Sequence, residues 1–173
     1  MATLPSAVER ARAKFMGKLQ KMSLFLLRVS LGGLYFYAGI TKVMTPNWSA
    51  ARYLQGAKTF TWFYQALLGS SLMPLVNFLN EWGLTLLGVS LILGIFVRLS
   101  SWLGIILMFL YYFVVLQFPY VAPHSFIVDD HIIYSAGLLV LIAFSAGRIW
   151  GLDSWCAKLP ICAKYPKLRK IIG

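Results

Sequence analysis

The sequence predicts an all-α, polytopic membrane protein: a bundle of four transmembrane helices with an interfacial segment between the first two. Three observations carry this. Of 173 residues, 60% are hydrophobic and only 12% charged, where a soluble domain carries roughly 25% charged residues. The mean hydropathy is +0.74. Apolar runs at about 22–44, 74–97, 101–118 and 131–150 reach or approach the length that a bilayer core about 30 Å thick requires of a helix. Residues 1–173 form a single domain with basic tails at 1–21 and 151–173, and no repeat or low-complexity segment interrupts it.

Each element follows from local chemistry. Residues 1–21 ("MATLPSAVERARAKFMGKLQK") read as a basic amphipathic segment on the inner leaflet, with Val8, Phe15, Met16 and Leu19 to bury at headgroup level. A basic-then-apolar order is also that of a signal peptide. Arg28, however, interrupts the apolar run and no small-residue cleavage site precedes Lys42, so an uncleaved first span is expected. The connection 45–73 mixes Trp48, Tyr53, Phe60, Trp62, Phe63 and Tyr64 with Arg52 and Lys58, which favours an interfacial helix or cap over a free loop. Pro74 suits the first turn of the second helix. A short turn at Arg98-Leu99-Ser100-Ser101 makes the second and third helices antiparallel neighbours. The third helix ends near Gln117, because Pro119 and Pro123 forbid its continuation. The fourth ends in "GRIWGLDSW".

The net charge of +11 is spread in a way that argues against nucleic acid. Arg10, Arg12, Lys14, Lys18 and Lys21 precede the first span, Arg98 sits between the second and third, and Lys158, Lys164, Lys167, Arg169 and Lys170 follow the last. The positive-inside rule then puts both termini and Arg98 in the cytoplasm of a multi-pass plasma-membrane protein. The tails face anionic lipid headgroups, and no basic-aromatic patch lies on a soluble domain to bind nucleic acid. Cys156 and Cys162 fall in the cytoplasmic tail without C-x-x-C spacing, so reduced thiols with no metal or redox role are expected.

Ionisable groups inside a span are costly and turn to the bundle interior. In "RVSLGGLYFYAGITK", Arg28, Gly32, Tyr35, Gly39 and Lys42 follow helical steps and share one face. The chain has 5 acidic residues, of which Glu81, Asp129 and Asp130 lie toward the predicted outer side, as Lys42 does. Glu81 sits inside the second helix, with Thr85 and Gly88 on its face and Asn77 and Asn80 one turn earlier. A polar pocket at the outer half is expected from Lys42, Glu81, Asp130 and His131, with Gly32, Gly39 and Gly88 letting backbones approach. Arg28 lies about 21 Å from Lys42 along the helix and belongs instead to an inner cluster with Arg98, Arg148 and Asp153. Structural alternatives stand beside these assignments. Lys42, Arg98 and Arg148 suit snorkelling, Glu81 suits a register-fixing partner of Lys42, and Asp129 and Asp130 suit helix caps. His124 lies in a Pro-flanked loop and only His131 is near a span, so neither haem nor another metal is expected.

"RVSLGGLYFYAGITK", "EWGLTLLGVSLILGIFVRLSS" and "DDHIIYSAGLLVLIAFSAGRIWGLDSW" together resemble the DoxX/DoxD group of four-helix membrane proteins over most of residues 24–155. The long aromatic connection and the "GRIWGLD" ending are closer to the DoxD branch, the membrane subunit of a thiosulfate:quinone oxidoreductase. The matching positions are Arg28, Gly32, Gly39, Lys42, Glu81, Gly83, Gly94, Arg98, Asp130, Gly147 and Asp153. The resemblance implies electron transfer from thiosulfate or another sulfur donor to membrane quinone. Catalytic roles then fall to Glu81, Lys42, Asp130 and His131, and quinone binding to Arg28, Tyr35 and Arg98. Phe109, Tyr111, Tyr112 and Phe113 of the third helix would line the quinone crevice, and Lys42, Arg52 or Lys58 would attract an anion at the outer mouth. A DoxA-like or other respiratory-complex subunit, membrane lipid and further copies of the chain are the implied partners. A non-catalytic scaffold subunit of a redox complex is the alternative. A transporter is third, because four helices leave little room and no broken-helix pair marks a midplane site.

Overall fold

Helix α1 is a single rod from Ala7 to Val43, 37 residues long. The computed structural model describes residues 7–122 and 124–156, with side chains from residue 17 to residue 155. The side chains of Val8, Phe15 and Met16, the thiols of Cys156 and Cys162, and the basic residues from Lys158 onward lie outside this description. Residues 7–21, expected as a separate surface segment, continue α1 instead. Nothing between Ala7 and the apolar run breaks a helix, Gly17 being its one weak position.

The aromatic connection folds as two short helices, α2 (Ala51–Gln55) and α3 (Thr61–Leu68). Next comes a continuous apolar rod, Met73–Leu93. It comprises α4 (Met73–Phe78), a π-helical turn (Leu79–Gly83) and α5 (Leu84–Leu93), with Pro74 in its first turn. The rod stops at Gly94, whose φ of +68° is the left-handed conformation glycine adopts without steric cost. Helix α6 (Val97–Val115) follows at once. The turn is therefore Gly94–Phe96, and Arg98, expected within it, lies in the first turn of α6. Beyond Pro119 the chain forms a small antiparallel hairpin, β1 (Tyr120–Ala122) with β2 (Ser125–Phe126), a minor addition to the all-α expectation.

Asp129 then caps α7 (Asp130–Ala143), and α8 (Asp153–Cys156) closes the described chain. The fourth apolar helix is shorter than the expected 131–150. It ends where Ser145 takes a φ of 47° and a 3₁₀ turn, Ala146–Arg148, turns backbone carbonyls toward α1. Three helical stretches, Gly17–Val43, Met73–Leu93 and Val97–Val115, are long and apolar enough to cross a membrane; α7, with 14 residues, is not so by itself.

Helix α1 packs chiefly on α5, and α6 on α7. The antiparallel neighbours α5 and α6, joined by the tight turn, touch less extensively. Small residues set the α1–α5 distance. A Cβ on Gly39 would collide with the backbone and hydroxyl of Thr85, and one on Gly88 with the backbone of Phe36. In lipid, where apolar burial gives little net drive, such close backbone packing is what holds helices together. Leu91, Leu138 and Leu141 are fully buried at the centre with Tyr35, Leu84 and Val97.

Candidate functional site

At the Lys42 end the short helix α2 and its preceding loop roof a cavity of about 1000 Å³. Lys42 enters from the last turn of α1, Asn80 from the π-helical turn, Tyr111 from α6, His131 from the start of α7, and Trp48, Arg52 and Tyr53 from the roof. The roof is tied down by Asn77, whose Oδ1 accepts the Ala50 N–H at 3.0 Å. The Tyr53 hydroxyl also donates to the Tyr111 carbonyl at 3.1 Å.

Three aromatic rings and two nitrogen bases meet here. The Lys42 ammonium lies 5.1 Å from the centroid of the Trp48 ring and donates to Tyr111 Oη at 3.4 Å. This cation–π and hydroxyl environment holds a charge that has no carboxylate within 4.0 Å among the described residues. The Tyr111 hydroxyl in turn donates to Asn80 Oδ1. Its ring packs edge-on against Tyr53 at 5.7 Å and His131 at 5.9 Å. Asp129 accepts the backbone N–H groups of His131 and Ile132 at 3.0 and 3.3 Å, and its other oxygen pairs with His131 Nδ1 at 2.6 Å. A carboxylate accepts only, so Nδ1 carries the proton and Nε2 is the ring nitrogen left for other partners. Burial, with the field of Asp129 and Tyr64 added, pushes the Tyr53 phenol up to about 12, so it stays a neutral donor at any physiological pH.

The expected outer pocket is thus assembled in part. Lys42 and His131 line the cavity; Glu81 and Asp130 do not. Glu81 is half-buried on the rod, where its carbonyl accepts the Thr85 hydroxyl at 2.7 Å. The carboxylate that orients His131 is Asp129, the N-cap, because an N-cap side chain folds back over the first turn; Asp130, the first helical residue, is exposed. Two residues of the site, Asn80 and Tyr111, had no functional assignment beyond lining or neighbourhood. An uncharged amide or phenol in an apolar helix seeks a cross-helix partner as a lysine does, and that was the available signal.

Arg28, Tyr35 and Arg98 lie away from the cavity. Arg28 is wholly buried at the opposite end, donating from Nη1 to the Ala146 carbonyl at 3.0 Å and from Nη2 to the Trp150 carbonyl at 3.3 Å. A Cβ on Gly94 or Gly151 would strike its Nη1. Asp153, also buried, accepts the N–H groups of Phe96 and Val97 at 2.7 and 3.2 Å and so caps α6, which has no cap of its own. Burial pushes the Asp153 carboxyl above the usual aspartate range, against the pull of those two N–H groups and of Arg28 and Arg148. Arg98 donates to the Ser145 hydroxyl at 3.0 Å. Of the expected inner cluster, Arg28 and Asp153 are buried and held by backbone groups, Arg98 is half-buried against Ser145, and Arg148 is exposed. Tyr35 sits in the core, edge-on to Tyr134 at 6.4 Å.

Fold and site together define a helical membrane protein with a polar, aromatic-walled cavity at one end of its bundle and a buried cation at the other. Residues 23–117 match the DoxX family, and the chain belongs to it. Neither the curated proteins nor the solved structures contain a match to it.

Proposed function

We propose that this chain is the membrane subunit of a quinone-linked oxidoreductase of the DoxD type, and that the cavity at the Lys42 end receives the quinone ring. The observation that carries this reading is the Lys42 ammonium held between Trp48 and Tyr111 on the wall of a cavity of about 1000 Å³. That volume is at the upper end for small-molecule sites, and aromatic walls with a few directed polar groups are what a flat, dicarbonyl ligand requires. A bound quinone supplies a two-electron, two-proton acceptor. The residues of this chain supply the rest. Lys42 donates to a carbonyl oxygen, Trp48 and Tyr53 flank the ring plane, and His131, held by Asp129, exchanges a proton through Nε2. Arg52 at the rim adds positive charge that favours an anionic sulfur donor such as thiosulfate, delivered with a DoxA-like partner.

We read the chain as crossing the plasma membrane four times with both termini in the cytoplasm. Arg28 and Lys42 are 14 residues apart on α1, about 21 Å. The chain from His131 to Ala146 covers that same height, since His131 reaches the cavity and Ala146 reaches Arg28. The described ends, α8 and the early part of α1, lie beyond the Arg28 end and lead in sequence to the basic tails.

Titration of the purified chain in nanodiscs with ubiquinone-1 tests the site. The fluorescence of the 6 tryptophans is expected to show a saturable quench from Trp48. The quench is lost in Trp48→Phe and needs about tenfold more quinone in Lys42→Met, the loss of one hydrogen bond from a charged donor. No saturable quench in the wild type would overturn the reading.

A further inference from the structure

Tyr111 touches four other residues of the cavity wall, Lys42, Asn80, Tyr53 and His131. We infer that Asn80 and Tyr111 act as one positioning unit that sets the Lys42 ammonium on the cavity wall. This deepens the quinone reading by naming what presents its donor, and its test needs no quinone.

The assignment starts from hydrogen-bond direction. Asn80 Nδ2 donates to the Val76 carbonyl at 2.8 Å, which fixes the amide so that Oδ1 faces Tyr111. Oδ1 can only accept, so the Tyr111 proton is committed to it. The remaining lone pair of the phenol is then what Lys42 Nζ meets at 3.4 Å. Without Asn80 the phenol has no acceptor there, and an ammonium offers none, so the O–H turns to another partner and its lone pair leaves Lys42. The backbone supports this placement: Asn80 is the one buried residue of the π-helical turn, the single interruption in the rod from Met73 to Leu93. Such turns recur where a side chain must be re-aimed. The Tyr111 ring cannot follow Lys42 elsewhere, being wedged between Tyr53 and His131. Asn80 therefore acts on Lys42 only through Tyr111.

The test is the rate at which acetic anhydride modifies Lys42 in nanodiscs, read by mass spectrometry and normalised to the exposed Lys58 of the same chain. Tyr111→Phe and Asn80→Ala are each expected to raise the Lys42 rate by about tenfold, as for one lost hydrogen bond to a charged group. The double variant Asn80→Leu/Tyr111→Phe replaces both partners by apolar groups and is expected to fold even where Asn80→Ala does not. Its rate should equal that of Tyr111→Phe alone, since residues acting as a unit do not add. An unchanged Lys42 rate in Tyr111→Phe, or a further several-fold rise in the double variant, overturns the proposal. If these rates behave as expected while ubiquinone-1 fails to bind the wild type, the quinone reading falls and the positioning unit stands.

Discussion

The apolar run of helix α1, from Met22 onward, carries two cations about four turns apart, Arg28 and Lys42, and the protein treats them in opposite ways. Around Arg28 the hydrogen-bond partners are backbone: two carbonyls accept from it, Gly94 and Gly151 press against the guanidinium, and the Phe25 ring covers it with its centroid 5.4 Å away. Around Lys42 the neighbours are side chains, two aromatic rings of which one is the Tyr111 phenol, with a cavity beyond them. Backbone partners consume a buried charge in order to tie segments together. Side-chain partners leave it presented to whatever enters. The nature of the neighbour, more than the charge itself, separates a structural cation from a working one.

This contrast breaks first at Arg28. Arg28→Met leaves the Ala146 and Trp150 carbonyls without their donor and should cost about 3 kcal/mol, read as a lower denaturant midpoint in detergent. Gly39→Val, which drives a side chain into the Thr85 backbone, should cost about 2 kcal/mol by separating α1 from α5. Asp153→Asn removes one of two acceptors from the start of α6, a loss of about 1 kcal/mol. Its pH dependence has a definite sign. Because the folded carboxyl is held above its unfolded value, its stabilising contribution is present at low pH and fades as pH rises through the folded value. The wild type's lead over Asp153→Asn should therefore grow between pH 7 and pH 4. Tyr53→Phe, which loses one exposed hydroxyl contact to the Tyr111 carbonyl, should shift stability by less than about 0.5 kcal/mol.

Much of the fold was legible because bilayer crossing imposes a crude rule, length of apolar run, that composition obeys. The glycine face of α1 and the separation of Arg28 from Lys42 along it followed from helical spacing. What spacing could not give was the end of each helix. Gly94 stops the second rod three residues before the expected limit, and the need to satisfy Arg28 unwinds the fourth helix after Ala143. In the site, ionisable residues drew the reading toward Glu81 and Asp130. The cavity is instead lined by Asn80 and Tyr111, whose pairing across helices spacing does not specify, while Asp129, as the N-cap, pairs with the lining His131.

Thermal unfolding of Arg28→Met and Lys42→Met side by side tests the contrast most directly. With about 3 kcal/mol at stake, the first variant should melt roughly 6–12 °C below the wild type. The second, losing contacts only at an open cavity, should stay within about 2 °C. A Lys42→Met protein that unfolds as early as Arg28→Met, or an Arg28→Met protein with an unchanged midpoint, would contradict the division of labour between the two ends.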